Sequence, residues 1–591
     1  MKIKHLFGLA VIAAMTASCS SNEDLGTAGP GTGNNVTGAS YASITIDLPT
    51  TRGTRAAVDN FNGGTASEYE VKDATLLIFQ KGTATSENDF KFVEKANLGD
   101  LKPWKKDDTA GNGITTEATI TAELKQATVG EDGDYYALVI LNNKDKENKD
   151  KVSMPGSTDT YGTWNVAATV KNLNDNENGF YMANAPEFTK NGTEPTTTTL
   201  VPIKGIYRTK EEAHSKPGAT VHVERGLAKV TLSKGTGKDY FTGDKASGTK
   251  YSHDDVKIES WALDVINKYS FPVHVTAGLK DGVTSEGIPA YPEIWSNVTG
   301  KTDRFVSQLS AVGAFKRVYW GIDPNYSMDL SDIAKCKAQF TLAEANGTGV
   351  TWNNGSGSDN PLYCLENTFD INNMKQGQTT RVLVKATYTP SAVATETDKT
   401  FFMIGNSSDI WTVKTLAEQI KSKAEEVLGP TAGVVKVTLN DGIKAAGTHL
   451  LDATNVTIKS GEDDKTSAIV AQINNKLGLK AATTTDPTIV GIATYKNGES
   501  YYIARIKHFG DDFTKWNPGN DLYGGNNEKW LGRYGVLRNN WYDLAVGSIS
   551  GPGYPDVPEV KPTEPDDEDT KYINVSVKIL DWAKHSDTLE M

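Results

Sequence analysis

Short apolar runs that alternate with polar residues, 55 glycines, and turns rich in Thr, Asn and Asp predict an all-β chain. One stretch alone has helical spacing, which adds a minor helical insertion. At 591 residues the chain is too long for one core and suits two to four domains. The formal charge of -13 and the lack of a basic stripe argue against a nucleic-acid partner.

Residues 1–18 have the layout of a lipoprotein signal: Lys2 and Lys4, an apolar stretch from Leu6 to Met15, then small Ala17 and Ser18 before Cys19. The apolar stretch is too short to span a bilayer as a helix. Cys19 is the candidate lipidation site, with Thr16 where a lipobox usually carries Leu. Two acyl chains would anchor the precursor stably, and that lipid is the only predicted membrane contact. A flexible tether, 20–39, leads to "YASITIDLP", where Ala42, Ile44, Ile46 and Leu48 form one apolar face of a strand. The polar loop "TTRGTRAAVDNFNGG" follows, carrying Arg52 and Arg55, and exposed loops of this composition are where proteases cut.

Further strands are predicted at 74–80, 89–96, 117–124, 134–142, 220–232 and 256–268, which with the first makes seven, enough for a β-sandwich. A long polar loop, 143–178, interrupts them. The domain boundary is expected near 268–300, giving an N-terminal sandwich over 56–270 and a C-terminal one over 271–550. Within the latter, "TVKTLAEQIKSKAEEVLG" (412–429) repeats Leu416, Ile420, Ala424 and Val427 at helical spacing and ends on Gly429.

Residues 551–570 are rich in Pro and acids and read as a tether that does not pack. Beyond them, in 571–591, "KYINVSVKILDW" places Ile573, Val575, Val577 and Ile579 on one apolar face. Cys336 and Cys364 could bridge as one disulfide or stay two buried thiols.

Catalytic and ligand motifs fail on their residues. "NDNENG" (174–179) opens like a calcium loop, but Ala185 stands where the bidentate Glu is needed, so it reads as a polar turn. "LSKGTGKDY" (232–240) lacks the first glycine of a phosphate loop, and Asp239 follows Lys238. The eight histidines show no metal-ligand spacing, and there is no GxSxG elbow. Asp511 and Asp512 are adjacent, whereas a hydrolytic pair must face each other across a bond. No enzyme, cofactor or metal is expected.

Six stretches, in order, resemble Bacteroidales fimbrillins over nearly the whole chain: "VHVERGLAKV", "RVYWGIDPNY", "YCLENTF", "QGQTTRVLVKATY", "YYIARIKHF" and "RYGVLRNNWYDLAVGSISGPGYP". The likeness is strongest to the shaft subunit of the short, or minor, fimbriae of Porphyromonas. That resemblance implies two tandem transthyretin-like β-sandwich domains and a type V pilus subunit. The precursor would be an outer-membrane lipoprotein, and the mature protein would lie in a cell-surface fimbria supporting adhesion and biofilm. It also implies an Arg-specific, trypsin-like protease that removes the lipidated propeptide (19–55) with the first strand. The cut would fall after Arg55, leaving Ala56, or alternatively after Arg52. The emptied groove would then take 571–582 of another copy by donor-strand exchange. Alternatively 571–582 is the second sandwich's own last strand, and the tail "AKHSDTLEM" is the donor. Expected partners are further copies of the chain, tip and anchor pilins, and an undefined surface ligand. The competing readings are a tip or accessory pilin and a surface glycan-binding lipoprotein.

Overall fold

A computed structural model describes residues 39–48, 65–98, 117–167, 176–276, 318–508, 532–566 and 573–581, with short gaps inside these stretches. The described chain is mostly β-strand, in two sandwich units in tandem. The first unit uses β1 (Ser40–Asp47), β2 (Ala74–Gln80), β3 (Lys91–Asn97), β4 (Glu117–Leu124), β5 (Tyr135–Leu141), β6 (Met182–Asn184) and β7 (Ala219–Arg225). Their order is β3-β2-β5-β6-β7-β1-β4. Alternation sends Leu76, Ile78, Val139, Val221 and Val223 into one core. The sheet's two ends are drawn together by Glu94 on β3, whose carboxylate accepts the backbone N–H groups of Lys125, Gln126 and Ala127 at 2.7–2.8 Å.

The second unit begins directly after Gly226. It is built from β8 (Leu227–Lys234), β9 (Asp255–Asp264), β10 (Leu362–Leu365), β11 (Arg381–Thr389), β12 (Phe401–Ile404) and further strands described below. The chain thus changes sheets at Gly226, ahead of the boundary expected at 268–300 between 56–270 and 271–550. The run 220–232, read as one strand, is two strands in two sheets. Val221 and Val223 face the first core, whereas Ala228, Val230 and Leu232 face the second, so the inward phase slips from odd to even. Gly226 permits the crossing: its N–H donates to Tyr181 O at 2.9 Å, and a Cβ there would press on the Tyr181 ring at 3.1 Å.

The expected helix is present as Val413–Leu428. The Thr412 hydroxyl accepts from Thr415 N–H, and Gly429 closes the helix at φ 77°. Leu416, Ile420 and Ala424 are its buried face, as the spacing predicts. It belongs to more than a helix laid on a sheet. With a second helix (Thr466–Lys476) and strands Val435–Leu439, Val456–Ser460 and Ile492–Tyr495, it forms an α/β module with its own core around Ile420, Val456 and Ile473. The polar loop 143–178 also holds a short helix, Tyr161–Ala167, whose Trp164 is buried in the first core.

The two sandwiches are locked at a charged joint. Glu68, on the short helix Ala66–Tyr69, accepts Lys229 Nζ at 2.7 Å and the Tyr363 hydroxyl at 2.5 Å. Arg225 Nε donates to the Glu68 carbonyl at 2.7 Å. Nearby, His274 Nδ1 lies 2.9 Å from Glu224, and Arg538 pairs with Glu366 at 3.3 Å. Val273, Leu365 and Trp541, from beyond Gly226, pack into the first core.

Candidate assembly site

β1 is an interior strand. It runs parallel to β7, with Ile44, Thr45, Ile46 and Asp47 opposite Ala219, Thr220, Val221 and His222. On its other edge it is antiparallel to β4 along its full length, from Ser40 opposite Leu124 to Asp47 opposite Glu117. Among the described residues β4 has no other ladder, so β1 alone ties β4 into the sheet. The apolar face expected from the sequence is sealed: Ala42, Ile44 and Ile46 are 0% exposed and Leu48 3%. Tyr41 and Tyr207 exchange two backbone bonds of 2.8 Å, and the Ser40 hydroxyl donates to Ala127 O at 2.7 Å. Thr45 and Thr119 hydroxyls meet at 2.9 Å on the outer face, and His222 Nδ1 lies 3.5 Å from Asp47. The approach is close enough that a Cβ on Gly218 would meet Ser43 O at 1.9 Å, so glycine is required where the chain turns into β7. The slot is thus backbone-tight, paired on both sides and apolar on its floor.

The last described strand is placed differently. Ile573–Asp581, here β14, follows β13 (Asn540–Ile549) and lies antiparallel to it at the end of the sheet β10-β8-β13-β14. It has one neighbour where β1 has two. Ile573 is buried in the second core, whereas Val575 and Val577 are only half-buried against it. Ile579 stands opposite Tyr542 in the same ladder, its side chain outside the described residues. In this single chain Ile573–Asp581 therefore occupies the place of the second sandwich's own edge strand.

The expectation that 551–570 does not pack is corrected for the part described, 551–566. Tyr554 exchanges backbone bonds of 2.7 and 2.9 Å with Tyr501, and Arg381 Nη2 donates to Pro558 O at 2.8 Å. Gln376 N–H donates to Glu564 O, and Asp566 N–H to Met374 O. Val560 is buried with Leu330, Cys336 and Phe340. The prolines remove donors without removing acceptors, and it is largely carbonyls that this segment offers.

The disulfide alternative is also corrected: Cys336 and Cys364 are both free and buried, in separate cores. The Cys336 Sγ–H donates to Leu330 O at 3.1 Å. Burial first, then the Asp332 carboxylate, pushes its thiol up to about 11, and burial raises Cys364 to about 12. Cys19, Arg52, Arg55 and Ala56 lie outside the described residues.

Residues 493–588 match the family model for the C-terminal region of fimbrillin, the major fimbrial subunit protein type IV. No curated protein matches the chain. Among solved structures, it is similar to a putative cell adhesion protein of Parabacteroides distasonis at 11% identity, covering 93% of this chain and 98% of that one, with a TM-score of 0.37. It is similar to a fimbrilin of Porphyromonas gingivalis at 11% identity, covering 92% and 99%, with a TM-score of 0.33. The tip fimbrial protein Mfa3 of Porphyromonas gingivalis, truncated at its C-terminus, is 9% identical, with 92% and 100% covered and a TM-score of 0.24. The C-terminal match takes in both β13 and β14. Over that region the chain is similar to the fimbrillin family, whose C-terminal model covers residues 493–588 of the 591.

Proposed function

We propose that this chain is the shaft subunit of its fimbria, polymerised when β14 of one copy enters the slot that β1 leaves in the next. The precursor is carried out as a lipoprotein on Cys19, and a trypsin-like protease cuts after Arg55, with Arg52 the alternative, to free β1. The observation that carries this reading is the inequality of the two strands. β1 fills an interior slot with its inward face sealed, whereas β14 is an edge strand whose Val575 and Val577 stay half-exposed.

The exchange is favourable on that inequality. Moving β14 loses the ladder to β13 and gains ladders to both β7 and β4, each surplus backbone bond contributing about 0.5–1.5 kcal/mol net. Completing the burial of each valine adds about 1 kcal/mol, half of what full burial contributes. While β1 is in place, that gain is inaccessible, so polymerisation waits for the cut. The contact is head-to-tail and does not close on itself, so it grows a filament.

The test is limited trypsin digestion of the chain lacking residues 1–19, read on unboiled SDS gels beside a chain ended at Asp569. We expect a ladder of SDS-resistant oligomers from the first and none from the second. Monomers from both after the cut near Arg55 would sink strand exchange and favour the glycan-binding alternative. A ladder from both would assign donation to another segment.

A further inference from the structure

Segment 551–566 and β14 follow each other in the chain but are held to very different degrees. The segment is tied along its length. The Tyr502 and Tyr495 hydroxyls donate to Gly551 O and Gly553 O at 3.0 and 2.8 Å, and the Tyr554, Pro558 and Glu564 backbones are bonded as described. Its last described residue is also a buried tie. Asp566 is 1% exposed, its carboxylate takes Arg505 Nε on one oxygen and the Thr379 hydroxyl on the other, and its N–H donates to Met374 O. Arg505 stands on the interior-facing strand Glu499–Arg505 and is itself 6% exposed. Removing one partner from a buried pair of this kind is strongly unfavourable. β14, by contrast, hangs on a single ladder at a sheet edge.

We infer that Asp566 is the positioning residue for assembly: it pins the root of the donor arm, so that residues up to 566 stay on their own subunit when β14 leaves. This rests on the strand-exchange reading above and adds a geometric consequence to it. Ile573 is seven residues beyond Asp566, a reach of about 25 Å at full extension. The partner surface is therefore a second copy of this chain, whose β7–β4 slot must open within that distance of the donor's Asp566.

Cys336 makes the pin measurable. A Cβ on Gly377 would meet Cys336 Sγ at 2.8 Å and Pro562 Cα at 3.1 Å, so the thiol, Gly377 and the segment meet at one point. The thiol is fully buried in one apolar cluster with Val560 of the segment, so lifting the segment should expose it. Cys364, in the second core, reports general unfolding. The experiment treats monomers and trypsin-induced oligomers with N-ethylmaleimide and locates the label by peptide mass. In the unsubstituted protein, Cys336 should remain protected in both states. In Asp566→Ala, Cys336 should label in the folded monomer while Cys364 does not, and the ladder should weaken. Labelling of Cys336 in unsubstituted oligomers would overturn the pin while leaving strand exchange standing, and so would an Asp566→Ala protein with full protection and a full ladder. Absence of any ladder from the unsubstituted protein would overturn both. The measurement on unsubstituted oligomers needs no variant, so misfolding of Asp566→Ala does not blunt the test.

Discussion

Glu68→Ala is expected to destabilise the protein by about 3–5 kcal/mol, the range for breaking a buried ion pair by removing one member. The Glu68 side chain is 0% exposed and that of Lys229 1%, so deletion removes the carboxylate that the buried Lys229 ammonium contacts at 2.7 Å. Lys229 also sits 4.1 Å over the Trp541 ring, a contact too weak to replace the lost anion. Tyr363 loses the Glu68 oxygen that accepts from its hydroxyl in the same step, and the Thr65 N–H loses the Glu68 oxygen 3.0 Å away that completes the helix cap. Replacing both partners by apolar residues, Glu68→Leu with Lys229→Met, should recover most of the loss, because buried pairs seldom outperform good packing. Denaturant midpoints of the single and double variants check this, read as two transitions if the sandwiches come apart. A single variant within about 1 kcal/mol of the unsubstituted protein, the range for an exposed pair, would show that the joint is wetter than described. On the proposed function, the joint would fix where β14 stands relative to the slot that β1 fills.

How much of this was legible in the sequence follows from what each pattern constrains. The alternation of Ala42, Ile44, Ile46 and Leu48 specifies a strand with a buried face, and the structure buries all four. Alternation does not say whether a strand has one neighbour or two. Hence β1 and β14 look alike in sequence but differ in the sheet, one interior and one at an edge. The boundary at Gly226 was written in the chain as a phase slip: Val221 and Val223 are odd, Val230 and Leu232 even. Averaged over a long run, that slip vanishes into one strand. The docking of 551–566 had no local signal, because a proline- and acid-rich segment contributes carbonyls and one buried Asp566, and their partners Tyr501, Arg381 and Arg505 lie far away in sequence. The joint was invisible for the same reason: Glu68 and Lys229 are 161 residues apart. The helix at 412–429 was legible, whereas the module around it needed long-range pairings that no local period encodes.

A precursor carrying Ile44→Asp and Ile46→Asp should form SDS-resistant oligomers without any protease. Both side chains are 0% exposed between β7 and β4, so two carboxylates would be forced into an apolar floor. Burying such charges costs several kilocalories per mole each unless the groups leave or take up protons. β1 would vacate the slot instead, and β4 would lose its only described ladder until another strand arrives. The effect on the mature protein should be nil, since the proposed cut removes both residues with β1. That contrast separates a plug from a structural strand: the substitutions should abolish the need for trypsin yet leave the trypsin-treated product unchanged in ladder and thermal midpoint. Adding truncation after Asp569 should return the variant precursor to monomers, because the vacated slot then has no β14 to receive. If the doubly substituted precursor stays monomeric with its full tail present, β1 is not what holds polymerisation back, and the timing assigned to the protease is wrong.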